Sequence, residues 1–120
     1  MEAKIVEKEI NILRLLNEVI ALLDAGQDII WKDNLSHELE SYKTLFNVSN
    51  DTDVLIEKVS ILRNIHNYYG GMNSLNDVYI RSKAGIDDSK QLNSTFGQKI
   101  SELYNIVGEL RNEIQSLLKK

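Results

Sequence analysis

Phe96, Ile100, Leu103, Val107, Leu110, Ile114 and Leu117 follow one another at alternating spacings of four and three residues, without a miss. On a helix this is a single a/d stripe, and about three heptads is the shortest run that argues for a coiled-coil-like contact. Such a stripe must be covered, either by other helices of the same chain or by a second copy. Gly97 and Gly108 sit within the helix, each at about 1 kcal/mol relative to Ala. Packing must offset that cost, or a neighbour must approach closely there.

The remaining chain supplies the covering helices. Ile5, Ile12, Leu16, Val19 and Leu23 recur with helical period, Leu13, Leu15, Ile20 and Leu22 widen the stripe, and Gly26 is a C-terminal stop. A second helix runs from an Asp28 cap through Ile30, Trp31, Leu35, Leu39, Tyr42, Leu45 and Phe46, ending near Phe46. "NVSNDTD" is a loop of residues that hydrogen-bond their own backbone. Asp51 or Thr52 caps a third helix, whose inner face reads Leu55, Val59, Leu62, Ile65, His66 and Tyr69. After "YYGGM", the "SLND" stretch reads as a weak capping box and opens a short helix or irregular segment to Ile80. No strand alternation survives anywhere, and there is no proline to break a helix. The expectation is an all-α chain, one domain over residues 1–120. Its architecture is a bundle of about four main helices with a short helix after the glycine corner.

Composition narrows the function classes. The chain has no cysteine, which removes disulfides, thiol nucleophiles and Cys-based zinc sites. No apolar run is long enough for a membrane span, and the N-terminus lacks the basic start and apolar core of an export signal, so a cytosolic protein is expected. The net charge of −4 and the lack of a basic patch exclude an ordinary nucleic-acid binder.

Candidate chemistry is thin. Asp33 and His37 share a helical face, with Glu38 and Glu40 close by, and such a pair is able to ligate one metal ion. A carboxylate-bridged bundle site needs Glu-x-x-His pairs, and the chain has none, so a solvated Asp–His face is the preferred reading. Asp51, Asp53 and Glu57 imitate the start of a calcium loop, but Ile56 stands where the turn glycine belongs. His66 reads as a semi-buried, hydrogen-bonded residue. No cofactor and no catalytic set is expected.

Surface acids carry more information. They gather as Asp24, Asp28 and Asp33, as Asp51, Asp53 and Glu57, and as Asp87 with Asp88. Acids at helix N-termini stabilise the macrodipole, which accounts for many of them. The functional reading is an acidic surface that steers a basic partner. Tyr68, Tyr69 and Tyr79 flank the glycine corner, and at least two of them are expected to pack on the core.

The corner also carries a resemblance. "YYGGMNSLNDVYI" resembles the Gly-Gly-Met-Gly-Ser-x-Asn-Asp signature of a family of small bacterial helical domains of unknown function. Its members look like immunity proteins, including those associated with contact-dependent growth inhibition. "LLNEVIALLDAGQDIIWKDNL" is similar in layout, and the likeness covers roughly residues 12–80. The matching residues are Gly70, Gly71, Met72, Ser74, Asn76 and Asp77; Asn73 departs from the family's glycine, and Asn is the next most tolerant of positive φ. From the residues themselves, Gly70 and Gly71 end the third helix and reverse the chain. Met72 or Leu75 then plugs the core, and Asn73 or Ser74 caps the next segment.

Two functional readings compete. The resemblance implies an immunity protein that neutralises a cognate toxin domain, a basic nuclease, by blocking its active site. The candidate contacts are Asp33, Asp51, Asp53, Glu57, Asn76, Asp77, Tyr79, Asp87 and Asp88. The alternative is a regulatory or adaptor bundle that self-associates through the Phe96–Leu117 seam.

Overall fold

The computed structural model describes residues 2–26, 28–48, 50–70, 74–80 and 89–119. Four helices form: α1 (Glu2–Ala25), α2 (Ile29–Lys43), α3 (Thr52–Asn67) and α4 (Ser89–Leu118), with a 3-10 turn at Leu75–Asp77 between the last two. No strand occurs among the described residues. Gly26 stands directly after α1, its N–H donating to Leu22 O at 3.0 Å, so the first helix stops where the glycine predicts.

The helices run up-down-up-down, each packed against two neighbours in the ring α1–α2–α3–α4. Cross-helix pairs fix the directions. Lys8 reaches Glu113 at 2.6 Å and Glu18 reaches Lys99 at 2.7 Å, so α1 and α4 are antiparallel. Trp31 meets Tyr68 with ring centroids 5.4 Å apart, which sets the start of α2 beside the end of α3.

The a/d stripe of α4 forms the centre of the bundle. Phe96, Ile100, Leu103, Val107, Leu110 and Ile114 are all buried, and Leu117 packs at the margin. Ile5, Ile12, Leu16, Val19 and Leu23 from α1 and Leu55, Val59, Leu62 and Ile65 from α3 close over it. Each such side chain contributes about 1.5–3 kcal/mol on burial. The seam is therefore covered within one chain.

Both expected caps are present. Asp28 Oδ1 accepts from Trp31 N at 3.1 Å, and Asp51 Oδ1 accepts from the amides of Asp53 and Val54 at 3.0 and 3.3 Å. The second helix departs from expectation in two ways. Ile30 lies off its buried stripe and is exposed. The helix also ends at Lys43 rather than near Phe46. Residues 44–47 form a turn instead, with Asn47 at φ 64°.

A buried polar cluster explains that early stop. Glu9 and Lys58 are both fully buried and pair at 2.7 Å between α1 and α3. Tyr42 OH donates to Glu9 Oε2 at 2.5 Å, Asn47 N–H to Glu9 Oε1 at 3.3 Å, and Lys58 Nζ to Val48 O at 2.5 Å. The cluster thus ties the α2–α3 turn to α1. Burial, then the neighbouring Glu9 carboxylate, pushes the Tyr42 hydroxyl far up, so it stays a neutral donor.

Candidate functional site

The glycine corner is built by hydrogen bonds among its own residues. Gly70 has φ +83°, a left-handed conformation that L side chains resist. Its N–H donates to Asn76 Oδ1 at 3.1 Å, and Ser74 Oγ donates to the same oxygen. Leu75 N–H returns to Tyr68 O at 2.7 Å, and the Leu75 side chain is completely buried. Leu75 is thus a core plug, as expected. Ser74 occupies the N-cap position of the 3-10 turn, yet its side chain makes no cap bond, because it is held by Asn76. Gly71, Met72 and Asn73 lie outside the described residues.

Beyond the turn, Asn93 of α4 clamps Ile80 with two bonds, accepting from Ile80 N and donating to Ile80 O, both at 2.7 Å. Ile80 packs over Gly26, where an added Cβ would stand 3.0 Å from Ile80 Cγ2. Residues 74–80 therefore cover one end of the bundle.

The same corner forms one wall of an open groove with a volume of about 520 Å³, between the end of α3 and α4. Gly70 and Asn76 stand on one side, and Ser101, Tyr104 and Asn105 on the other. Aromatic rings make its floor. His66 stacks on Tyr104 with centroids 4.5 Å apart, and Tyr69 meets Tyr104 edge-on at 4.9 Å. The floor is fixed from below: His66 Nε2–H donates to Tyr104 O at 2.9 Å, and Tyr69 OH donates to Ile100 O at 2.7 Å. Burial pushes the Tyr69 hydroxyl up, so it remains a donor. Gly108 makes room for His66, since a Cβ there would lie 3.2 Å from His66 Cε1. Tyr104 itself stays 45% exposed.

Sequence alone sets Gly70, Asn76 and Tyr69 at a break in the helical pattern but does not join them to α4. Tyr104 escapes such a reading because it lies off the a/d stripe, on the outer side of a helix whose pattern points inward. The available signal is a Tyr one residue after Leu103 and four before Gly108.

The acidic candidates do not form one patch. Asp51, Asp53 and Glu57 are exposed at the start of α3, together with exposed Ile56. Asp33 lies near Trp31, at the opposite end with Asn76, Asp77 and Tyr79. The rise of α3 separates Asp53 from His66 by about 20 Å. Asp87 and Asp88 lie outside the described residues. At the corner end, Tyr79 is 64% exposed, while Tyr68 and Tyr69 pack against the core. Asp33 and His37 are exposed on α2, but Glu38 is buried, so the solvated face does not extend to it. Among the described residues no group of three or more His, Cys, Asp or Glu is placed to hold a metal ion. No helix among the described residues is long and apolar enough to cross a membrane.

Comparison of the chain with protein-family models, with curated proteins and with solved structures finds no match. The resemblance therefore rests on the corner motif and its flanks.

Proposed function

We propose that this chain is an immunity protein, acting in the bacterial cytoplasm by binding a cognate toxin domain and covering its active site. The partner we favour is a basic nuclease. The observation that carries the reading is the groove at the corner, an open aromatic floor with exposed carboxylates next in the chain to two of its lining residues. Asp77 comes directly after Asn76, and Glu102 is a helical neighbour of Asn105; among the described residues no cation pairs with either. Tyrosines in exposed positions are frequent interface anchors, and unpaired acids favour a basic partner. The motif residues Gly70 and Asn76 shape this groove, which links the resemblance to a surface. The alternative, self-association through the α4 seam, is disfavoured because that seam is buried inside the chain.

The test is a pull-down of the tagged protein from its native strain, with mass spectrometry of the proteins that co-purify. A one-to-one complex with the C-terminal fragment of a large secreted or surface protein is expected, and co-expression should rescue cells from that fragment. Recovery of the protein alone, or failure to rescue, overturns the reading.

A further inference from the structure

We propose that the Tyr69–Tyr104 groove receives an arginine side chain of the protein partner. The inference rests on the immunity reading for the partner's identity, though the chemistry of the groove is independent of it. His66 stacks on Tyr104 and Tyr69 meets it edge-on, yet Tyr104 stays 45% exposed and lines the groove. A planar guanidinium stacks on such a ring and is attracted by its quadrupole. The rim offers neutral acceptors from Ser101 and Asn105, the Asn76 oxygen being already taken by Gly70 and Ser74. Exposed Asp77 and Glu102, next to Asn76 and Ser101 in the chain, add negative charge around it. Arg111 approaches His66 Nδ1 at 3.5 Å and does not line the groove. Aromatic floor, acceptor rim and acidic surround together fit a cation that can also donate several hydrogen bonds. A carboxylate or phosphate would meet the acids instead.

The experiment titrates the isotope-labelled protein with a blocked Gly-Arg-Gly peptide, following backbone amide shifts. Its controls are the citrulline peptide, a neutral isostere, and the lysine peptide. Saturable shifts at Gly70, Ser101, Tyr104 and Asn105 are expected with arginine, weaker ones with lysine, and none with citrulline. Tyr104→Ala should weaken arginine binding by about two- to fivefold, the range for an exposed cation–π contact. Tyr104→Phe, which keeps the ring, should bind like the wild type. Equal shifts with citrulline, shifts scattered over the surface, or an unaffected Tyr104→Ala variant would overturn the proposal. Because the probe is a peptide and the protein is free, such a result would leave the toxin pull-down standing, and a failed pull-down would leave peptide binding standing.

Discussion

Replacing Lys58 by Met tests the buried cluster most directly. The substitution nearly conserves volume but leaves the Glu9 carboxylate at 0% exposure, with only Tyr42 OH and the Asn47 amide as partners. Removing one member of a buried ion pair costs about 3–5 kcal/mol, mainly through the charge left behind. Against a total stability of about 5–15 kcal/mol for a domain, that is a large fraction. It corresponds to a fall in Tm of about 10–20 °C at this chain length. Urea denaturation followed by circular dichroism measures the free-energy loss, and a thermal melt the fall in Tm. The combined variant Glu9→Leu, Tyr42→Phe, Lys58→Met removes the buried side-chain polar groups together, leaving only the part-buried Asn47 amide and Val48 carbonyl to find water, and should lie within about 2 kcal/mol of the wild type, far less than the sum of its parts. A Lys58→Met protein within about 1 kcal/mol of the wild type, the contribution of an exposed pair, would refute the reasoning. So would a triple variant as unstable as the summed singles.

Three further outcomes are expected. Gly97→Ala should stabilise by about 0.5–1 kcal/mol, since nothing lies within 4 Å of the added methyl, whereas Gly108→Ala should be less stable than Gly97→Ala because it displaces His66; denaturation midpoints compare them. Glu38 is buried on α2, and desolvation raises its pKa above the ordinary glutamate value, opposed by His37 and by bonds to Asn64 and Tyr68. A raised folded-state pKa gives stability that is present below the unfolded pKa and lost as pH rises through the folded value, so Glu38→Gln should gain stability at neutral pH and lose that advantage in acid; a pH-independent difference would contradict this. If the proposed toxin partner is recovered, charge reversal at Asp77 and Glu102 should weaken its binding more than reversal at Asp53 and Glu57, measured by calorimetry on the purified proteins. Asp51 is left out of that comparison because its loss removes the α3 cap, at about 1 kcal/mol.

The helices are legible in the sequence because their burial keeps to the helical period. The stripe from Phe96 to Ile114 reads inward at every step, and Asp28 and Asp51 cap as their chemistry demands. Contacts between residues far apart in the chain are not legible. Glu9 sits between Ile5 and Ile12 on the buried stripe of α1, and Lys58 sits between Leu55 and Leu62 on that of α3. Each alone is a charge interrupting an apolar stripe, with nothing local to say what partners it. Only their spatial pairing, with Tyr42 as third partner, makes burial tolerable, and no local rule pairs positions on different helices.

The same limit governs the candidate site. The corner is visible in the sequence as a break, and a glycine there is the residue that accepts the positive φ of Gly70. Its second role depends on α4 arriving antiparallel to α3, which brings Tyr104 against His66 and across the groove from Asn76. Asn76 Oδ1 holds Gly70 and Ser74 at once. Groups already hydrogen-bonded before a partner docks lose less conformational entropy on binding, and His66, Tyr69 and Asn76 are such groups. The structural role of the motif and its proposed binding role therefore do not compete: the bond that joins Gly70 to Asn76 also sets two of the residues that line the groove.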